Sequence, residues 1–237
     1  MTAEASNQGA LRPNAAASGK RLAALVHDAL KERLLEGEFA AGERLSPEAL
    51  KTQFDVSKQP IMEALRRLSS VGLVEIIPQV GCRVPIYTPA DITDFFAMFG
   101  GMEGAVAGVA ANRRTDAQIA ELHRINDAIG NLADNSDPDS RAHGYRLRNR
   151  QFHAVIHEMA HSPVVADLSR RMWDMSDLLI ATSGVPRPLA SALSSRHRDH
   201  ELIIDALHRR DPAAARQAME EHIVGTVAII RTEAGLA

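Results

Sequence analysis

The stretch from Leu45 to Val84 constrains the fold most, because it contains two short amphipathic helices and the turn between them. One of these helices is predicted over residues 57–71, where apolar side chains recur at helical spacing and form one face: Ile61, Ala64, Leu65 and Leu68. The opposite face carries Lys58, Gln59, Met62, Arg66 and Arg67. Ser57 is a favourable N-cap residue, and Gly72 can end the helix in a left-handed conformation.

Another helix is predicted directly before this one. Ser46 can cap it, and Pro47 stands at its first position, where the missing N–H of proline removes no helical hydrogen bond. Residues 55–57 connect the two helices, and helices joined this closely form a helix-turn-helix. A further amphipathic helix is predicted over residues 20–37, ending at Gly37.

Two short β-branched runs follow the helix-turn-helix. They read LVEII and CRVPIY and flank residues 78–81, which predicts a hairpin. Three helices and a two-stranded wing make a winged helix-turn-helix, here over residues 20–87. The last helix of such a motif lies in the major groove, so the pattern predicts a recognition helix that binds double-stranded DNA.

The remaining residues, 88–237, are predicted to be helical throughout. Helices are expected at residues 90–112, 115–133, 139–161, 163–183, 188–210 and 212–233. Short connections favour antiparallel neighbours. The predicted fold class is therefore mainly α, with an N-terminal winged helix-turn-helix followed by an antiparallel α-helical bundle. Residues 1–19 are small, polar and aperiodic, and a disordered tail is expected there.

Composition limits the classes of function. Of the 237 residues, 45% are hydrophobic and 4% aromatic, which favours globular domains of packed helices. No apolar run reaches the length of about 18 residues that a membrane span needs, and no signal peptide is expected. Cys82 is the only cysteine, which excludes an internal disulfide and favours a cytoplasmic location. The net charge is −3, so a DNA-binding surface needs locally concentrated positive charge.

The first domain resembles the GntR family of bacterial transcription regulators. The resemblance is carried by residues 42–46 (GERLS), 56–61 (VSKQPI), 63–68 (EALRRL), 72–74 (GLV), and Gly81 with Val84. In the family these segments read roughly GxRLSE, VSRxPV, REALRRL, GLV and GxxV. The resemblance covers about residues 20–86 and implies both the winged fold and DNA binding.

This sequence departs from the family pattern on the face expected to meet DNA. Relatives usually carry arginine at the positions of Glu48, Met62 and Lys58, and lysine lacks the bidentate fork that arginine offers to guanine. The implied DNA-contact set is Arg44, Ser57, Lys58, Gln59, Met62, Arg66, Arg67, Gln79 and Gly81. Lys58, Gln59 and the wing tip are expected to read bases, and the arginines to hold phosphates. A winged helix used only for dimerisation is the alternative.

The second domain resembles the FCD-type effector domain of the FadR-like GntR subfamily. The resemblance covers about residues 90–230 and is carried by residues 96–111, 149–153, 200–206, 211–215 and 221–222. It implies a helical ligand-binding domain that holds a divalent metal with one Asp or Asn and three His.

Sequence spacing allows the implied ligands to meet. Asn149 and His153 are four residues apart and share a helix face. His200 lies 11 residues before Asp211 and His222 lies 11 after it, so a helical hairpin with its tip at Asp211 places both histidines at one height. The resemblance implies Asn149, His153, His200 and His222 as ligands, with zinc or nickel favoured because imidazole dominates. Since the chain has ten histidines, structural histidines in a polar core are the alternative.

A small carboxylate effector is expected at an open position on this metal. The candidate contacts are Phe99, Glu103, Arg146 and Arg150. Phe99 stands where relatives often carry arginine, which predicts a less charged or more apolar ligand. The glycines at 100, 101, 104 and 108 are expected to allow close packing of their helix, and room for a ligand is the alternative.

Together these features predict a DNA-binding transcriptional repressor whose operator affinity responds to a small metabolite. It is expected to act as a homodimer, because helix-turn-helix dimers read paired half-sites and a small rotation of the two copies changes the spacing of their recognition helices. It is not expected to be an enzyme. One alternative is a metal or ligand sensor acting through a protein partner. Another is a metal-dependent hydrolase with Glu103 or Glu158 as base, although no HExxH motif supports it.

Overall fold

The computed structural model describes residues 15–79 and 81–235, with the backbone alone for residues 15–18. The helices are α1 (Ala15–Leu35), α2 (Pro47–Phe54), α3 (Lys58–Ser70), α4 (Pro89–Arg113), α5 (Asp116–Gly130), α6 (Pro138–Ala160), α7 (Pro163–Ala181), α8 (Leu193–His208) and α9 (Pro212–Glu233). The strands are β1 (Arg44–Leu45), β2 (Glu75–Ile77) and β3 (Gly81–Arg83). The prediction of a winged helix-turn-helix followed by a helical bundle is confirmed. Within the described residues, no helix has the length and apolarity to span a membrane.

The chain folds as two compact units. The described residues as far as Glu32, together with Arg44–Arg83, form the winged unit. Arg33–Glu43 and the described residues from Val84 onward form the helical unit. Helix α1 therefore contributes to both units, and its start at Ala15 makes residues 15–19 helical where a tail was expected. Alanine has the strongest helix propensity, and residues 15–17 are all alanine. The rest of the expected tail lies outside the described residues.

The helix-turn-helix forms through local caps. The Ser46 hydroxyl accepts a hydrogen bond from the amide of Ala49 (3.3 Å) and caps α2. Ser57 is the N-cap residue of α3, but its side chain makes no capping hydrogen bond, so that detail of the prediction is wrong. At the other end of α3, Gly72 adopts a φ of 81° and the Leu73 amide donates to the Leu68 carbonyl (3.0 Å).

The wing belongs to a three-stranded antiparallel sheet in the order β1-β3-β2. Strand β3 pairs Cys82 with Ile76 of β2 and with Leu45 of β1. Strand β1 was not predicted, because two residues carry no periodicity and become a strand only through their tertiary partner. The side chains of Leu45 on β1 and Cys82 on β3 are buried, so this face of the sheet belongs to the core of the winged unit.

Helix α4 runs through the core of the helical unit and packs against α6, α7, α8 and α9. Thr88 begins it with a capping box, in which its hydroxyl accepts from the Asp91 amide and the Asp91 carboxylate accepts from the Thr88 amide. The hairpin of α8 and α9 turns at Asp211, whose carboxylate caps α9. Helix α8 begins at Leu193 rather than at residue 188, because residues 184–192 form an irregular segment that includes Leu189 with a φ of 65°.

Helices α4 and α9 approach closely because glycines line the contact. A Cβ atom on Gly104 would lie 2.8 Å from the Arg216 backbone oxygen, and one on Gly108 would lie 3.1 Å from that of Pro212. Neither oxygen can move away without shifting the helix. Gly104 and Gly108 thus serve helix packing, as expected, whereas Gly101 does not, because a Cβ there would have no heavy atom within 4 Å.

We expect Gly104→Ala to lower the free energy of unfolding by about 1–3 kcal/mol, because the added methyl meets helix backbone. Gly101→Ala is the matched control, since a Cβ there has no heavy atom within 4 Å. The control should be neutral or stabilising by up to about 1 kcal/mol through helix propensity. Urea unfolding measures both, and equal effects of the two substitutions would contradict the close-contact explanation.

Candidate metal centre and DNA interface

Three buried histidines meet inside the helical unit. His153 comes from α6, His200 from α8 and His222 from α9, and each is at most 3% exposed. Their nearest ring nitrogens lie within 4.8 Å of one another, and the ring centroids are 4.6–5.7 Å apart. Because α8 and α9 turn back at Asp211, the two histidines that are equally far from that turn come to the same height.

The hydrogen bonds of His200 direct its Nε2 nitrogen at the side-chain oxygen of Asn149. Asn126 donates through Nδ2 to the His197 carbonyl (3.2 Å), which turns its Oδ1 towards His200 Nδ1 (3.2 Å). His200 Nε2 faces Oδ1 of Asn149 (3.1 Å). A neutral imidazole carries a single N–H, so donation from Nδ1 to Asn126 leaves the Nε2 lone pair beside the Asn149 oxygen. Two electron pairs directed at one point suit a cation.

His222 is oriented by a carboxylate. Its Nδ1 lies 3.4 Å from Asp199 Oδ2, and Arg196 holds the same carboxylate (2.5 Å). With Nδ1 directed at Asp199, Nε2 is the nitrogen that remains for a ligand. Carboxylates commonly orient metal-binding imidazoles in this way and raise their basicity.

All three imidazoles are held in their neutral form. Burial, followed by the neighbouring His222, lowers the pKa of His153 and of His200 well below the ordinary value of 6.5. Burial lowers the pKa of His222 to about 4, although the hydrogen bond to Asp199 opposes this. A neutral imidazole is the form that coordinates a metal ion.

The residues present fit a divalent metal. Both ring nitrogens of His153 are buried without a hydrogen-bond partner among the described residues, an arrangement that native proteins rarely leave unexplained. Zinc–nitrogen and zinc–oxygen bonds of roughly 2.0–2.2 Å are compatible with the 3.1 Å between His200 Nε2 and Asn149 Oδ1. Three imidazoles and one amide oxygen could therefore hold zinc or nickel and leave a coordination position for an exogenous ligand.

A cavity of about 380 Å³ in the helical unit reaches Asn149 and Arg146. Its other lining includes Tyr145 and Asp177, as well as the irregular segment of residues 185–189 and residues 35–37. Volumes of this size hold small metabolites. Neither Phe99, Glu103 nor Arg150 lines this cavity, so the structure separates Arg146 from the other three predicted effector contacts.

The two arginines of α6 that were predicted as effector contacts are engaged by acidic side chains. Arg146 Nε donates to Glu36 (3.0 Å), and Asp177 lies 3.7 Å from its guanidinium. Arg150 donates to Asp177 (2.8 Å) and to Asp174 (2.5 Å). An anionic ligand that binds either arginine would compete with these carboxylates.

Glu103 and Phe99 are both buried on α4. The Glu103 carboxylate accepts from Ser169 Oγ (2.6 Å) and lies 2.9 Å from His157 Nε2, so it joins α4 to α6 and α7. Phe99 packs edge-on against Trp173, with 4.9 Å between the ring centroids. Phe99 thus approaches the histidine cluster through Trp173, whose ring lies 4.3 Å from the His153 ring between centroids.

The winged unit exposes the face of α3 that was predicted to meet DNA. Ile61, Ala64, Leu65 and Leu68 are fully buried. Exposed side chains cover the other face, with Met62 half-buried among them: Ser57, Lys58, Gln59, Arg66 and Arg67. Because Ser57 is not used in capping α3, its hydroxyl is available to a phosphate. Arg44 is exposed on β1, and Gln79 is exposed at the wing tip with a φ of 62°. Gly81, also exposed, has a φ of 125°.

Acidic side chains reduce the positive charge of this face. Lys58 Nζ lies 3.1 Å from Glu48, which also lies 3.4 Å from Lys51. These two lysines lower the pKa of Glu48, so it is ionised at neutral pH. Glu63 lies 3.0 Å from Arg67 and 3.7 Å from Arg66. Glu48 therefore neutralises Lys58 of the recognition helix. It also stands at a position where the family pattern has arginine.

Residues 22–84 match the bacterial regulatory proteins of the gntR family, and residues 94–225 match the FCD domain. The chain belongs to the GntR family, with an FCD domain. The FCD match corresponds to the helical unit that contains the histidine cluster, and the GntR match covers the helix-turn-helix and the wing.

Similar proteins share both parts of this arrangement. The chain is 29% identical over 226 residues to the HTH-type transcriptional repressor NanR of Citrobacter rodentium, covering 86% of this chain and 83% of that protein. It is 24% identical over 204 residues to the HTH-type transcriptional repressor GlaR of Escherichia coli K12, covering 85% and 92%. The E. coli McbR/YncC structure superposes with a TM-score of 0.74 at 21% identity, covering 90% of this chain and 98% of that one.

Several residues around the histidine cluster and the cavity were not predicted from the sequence. Asn126 and Asp199 orient two histidines, and Trp173 lies 4.3 Å from the His153 ring between centroids. Glu36 meets Arg146 from a distance of 110 positions along the chain. Only Asp199 gave a local signal, because it directly precedes His200 in sequence. The other contacts exist only after the helices have packed.

We expect Glu48→Gln to strengthen binding to any duplex several-fold at low salt, because it releases Lys58 for a phosphate. The slope of log affinity against log salt should become steeper by about 0.9 for one additional phosphate contact. Glu121→Gln is the matched control, since it releases Arg124 (2.5 Å) on α5 with the same change of charge. Fluorescence anisotropy over a salt series measures both, and an equal gain in the control would show a general charge effect.

The buried histidines should make the metal-free protein sensitive to acid. The unfolded chain protonates His222 near pH 6.5, whereas the folded chain does so near pH 4. Between these values the unfolded state binds more protons, so the free energy of unfolding falls as the pH falls, by up to about 1.4 kcal/mol per unit for this group. Chelator-treated protein is unfolded in urea between pH 7 and 4.5. His222→Gln should flatten the pH dependence, and an unchanged slope would contradict this assignment.

Proposed function

We propose that this GntR-family protein is a metabolite-responsive transcriptional repressor that acts as a homodimer in the cytoplasm. Its winged unit binds double-stranded DNA at an operator. Its FCD domain holds zinc or nickel through Asn149, His153, His200 and His222, and a small carboxylate that binds beside the metal changes the affinity for DNA. The relatives NanR and GlaR, both repressors, support the direction of the effect.

The observation that carries the proposal is the buried histidine cluster in a chain that also exposes a cationic recognition helix. Three features support a metal site here: Asn126 orients His200, Asp199 orients His222, and burial keeps all three rings neutral. When bound, the metal supplies a Lewis-acidic position for an anionic oxygen. The cavity of about 380 Å³ beside Asn149 gives a small molecule access to this region.

An effector in this cavity would meet Arg146 and disturb its pairing with Glu36 and Asp177. A second anionic or polar group of the effector would compete with one of these acidic partners at the guanidinium. The ligand would therefore change the ion pairs of the residues that line the cavity as well as fill it. Allostery requires such a difference in contacts between the liganded and the free state.

Exposed apolar side chains on α4 support a homodimer. Met98 is 73% exposed and Val109 is 41% exposed on one long helix. Two copies of the winged unit would then address paired half-sites, as helix-turn-helix dimers do.

Anisotropy titrations of a duplex from the protein's own upstream region test the proposal. The duplex should bind more tightly than an unrelated one at moderate salt, and one of a panel of carboxylates and sugar acids should shift this affinity when zinc is present. The panel is first ranked by thermal shift, because a ligand of the native state raises the melting temperature. No preference for any duplex from that region would refute the repressor.

We expect His200→Ala to reduce zinc affinity by more than about 100-fold, which exceeds the roughly 10–100-fold typical when a residue that only orients a ligand is lost. Asn126→Ala should fall within that smaller range. His123→Ala is the control, since His123 is exposed on the same helix as Asn126. Calorimetric titration with zinc measures all three, and equal affinities in the His200 variant and the control would exclude this metal site.

A further inference from the structure

Three unsatisfied polar atoms lie together beside the histidine cluster. In the described part of the chain, the buried side-chain atoms without a hydrogen-bond partner are Arg114 Nε, Arg196 Nε, both ring nitrogens of His153, and Trp173 Nε1. The two arginines use other nitrogens for hydrogen bonds to backbone carbonyls. His153 and Trp173 have no such alternative, and their rings are neighbours with 4.3 Å between centroids.

Trp173 is held firmly in this position. Its indole packs against Phe99 on one side, with centroids 4.9 Å apart, and the Arg150 guanidinium lies 5.7 Å from the ring. One turn earlier on α7, Ser169 donates to Glu103, which ties this part of α7 to α4. The side chain is 6% exposed, so water does not reach it from outside.

A buried indole N–H normally has an acceptor, because a buried donor without a hydrogen bond costs about 1–3 kcal/mol of stability. Metal coordination explains one of the two unpaired nitrogens of His153, the one that carries the lone pair. A cation cannot accept a hydrogen bond from the N–H of Trp173. The missing partner must carry a lone pair. An exogenous ligand of the metal would lie next to His153 and meets this requirement.

We propose that the Trp173 indole N–H donates a hydrogen bond to a carboxylate oxygen of the ligand held at the metal. The inference rests on the proposed metal site and assigns a new binding residue to it. Trp173 then supplies a neutral donor to the ligand, and Phe99 packs against the indole from α4. The metal and the indole satisfy one carboxylate, and an apolar substituent on that carboxylate gains affinity from aromatic side chains such as these.

The chain's single tryptophan gives the test a direct signal. Zinc is titrated first, then acetate and benzoate, while calorimetry records affinity and fluorescence records the emission of Trp173. Both carboxylates should change the emission of the zinc-loaded protein, and benzoate should bind more tightly. Trp173→Phe should bind zinc as the unmodified protein does, but should bind the carboxylates about tenfold more weakly, as loss of one hydrogen bond to a charged group predicts.

A second replacement separates the hydrogen bond from packing. Benzothienylalanine at position 173 keeps the shape of the indole and replaces the N–H by sulfur, so it should show the same tenfold loss. If this replacement binds carboxylates as tightly as tryptophan does, the hydrogen bond is excluded and the Trp173→Phe effect is one of packing. Carboxylates that fail to bind the zinc-loaded protein, or bind all three forms equally, also overturn the inference. Failure of zinc itself to bind would instead refute the proposed metal site.

Discussion

The helical unit depends on burying three imidazoles at one point between α6, α8 and α9. Burying polar rings is costly unless each receives a partner. Asn126 satisfies His200 and Asp199 orients His222, while His153 has no partner of its own. A metal ion would complete this arrangement and bind three helices together. Much of the polar structure around the cluster is explained by this single requirement, including the neutral state of the histidines.

Apolar and charged side chains both lie near the cluster. Trp173 packs against His153 and Phe99, and the Glu103 carboxylate on α4 is enclosed by Ser169 and His157. Arg146 is paired with acidic groups next to the cavity. A ligand that reached both Trp173 and Arg146 would meet one neutral donor and one ion pair, so its recognition would depend on shape and on competition for Arg146 more than on net charge.

The winged unit shows how a charged surface can be moderated by its own residues. Ionised Glu48 and Glu63 neutralise lysine and arginine side chains on or beside α3. Exposed ion pairs of this kind contribute little to folding, because solvent screens them. Their effect is on association with DNA, where each must be broken or rearranged before a phosphate is bound.

The sequence by itself determined the elements and the family. Helical spacing, the cap at Ser46 and the left-handed Gly72 are local properties, so they could be recognised without a structure. The symmetric spacing of His200 and His222 about Asp211 likewise placed two histidines at one height. Local rules failed at two places. Strand β1 is too short to show a periodicity, and α8 begins later in the chain than its sequence pattern indicated.

Only the tertiary structure decided which side chains surround those histidines. Asn126, Trp173 and Glu36 come from different helices or from the chain after α1, and no sequence spacing connects them to the site. It also showed that Glu103, a predicted effector contact, does not line the cavity and that its carboxylate is enclosed between α6 and α7. Helix formation depends on neighbours within four residues, whereas polar satisfaction inside a core depends on whatever side chains the packing brings within hydrogen-bond distance.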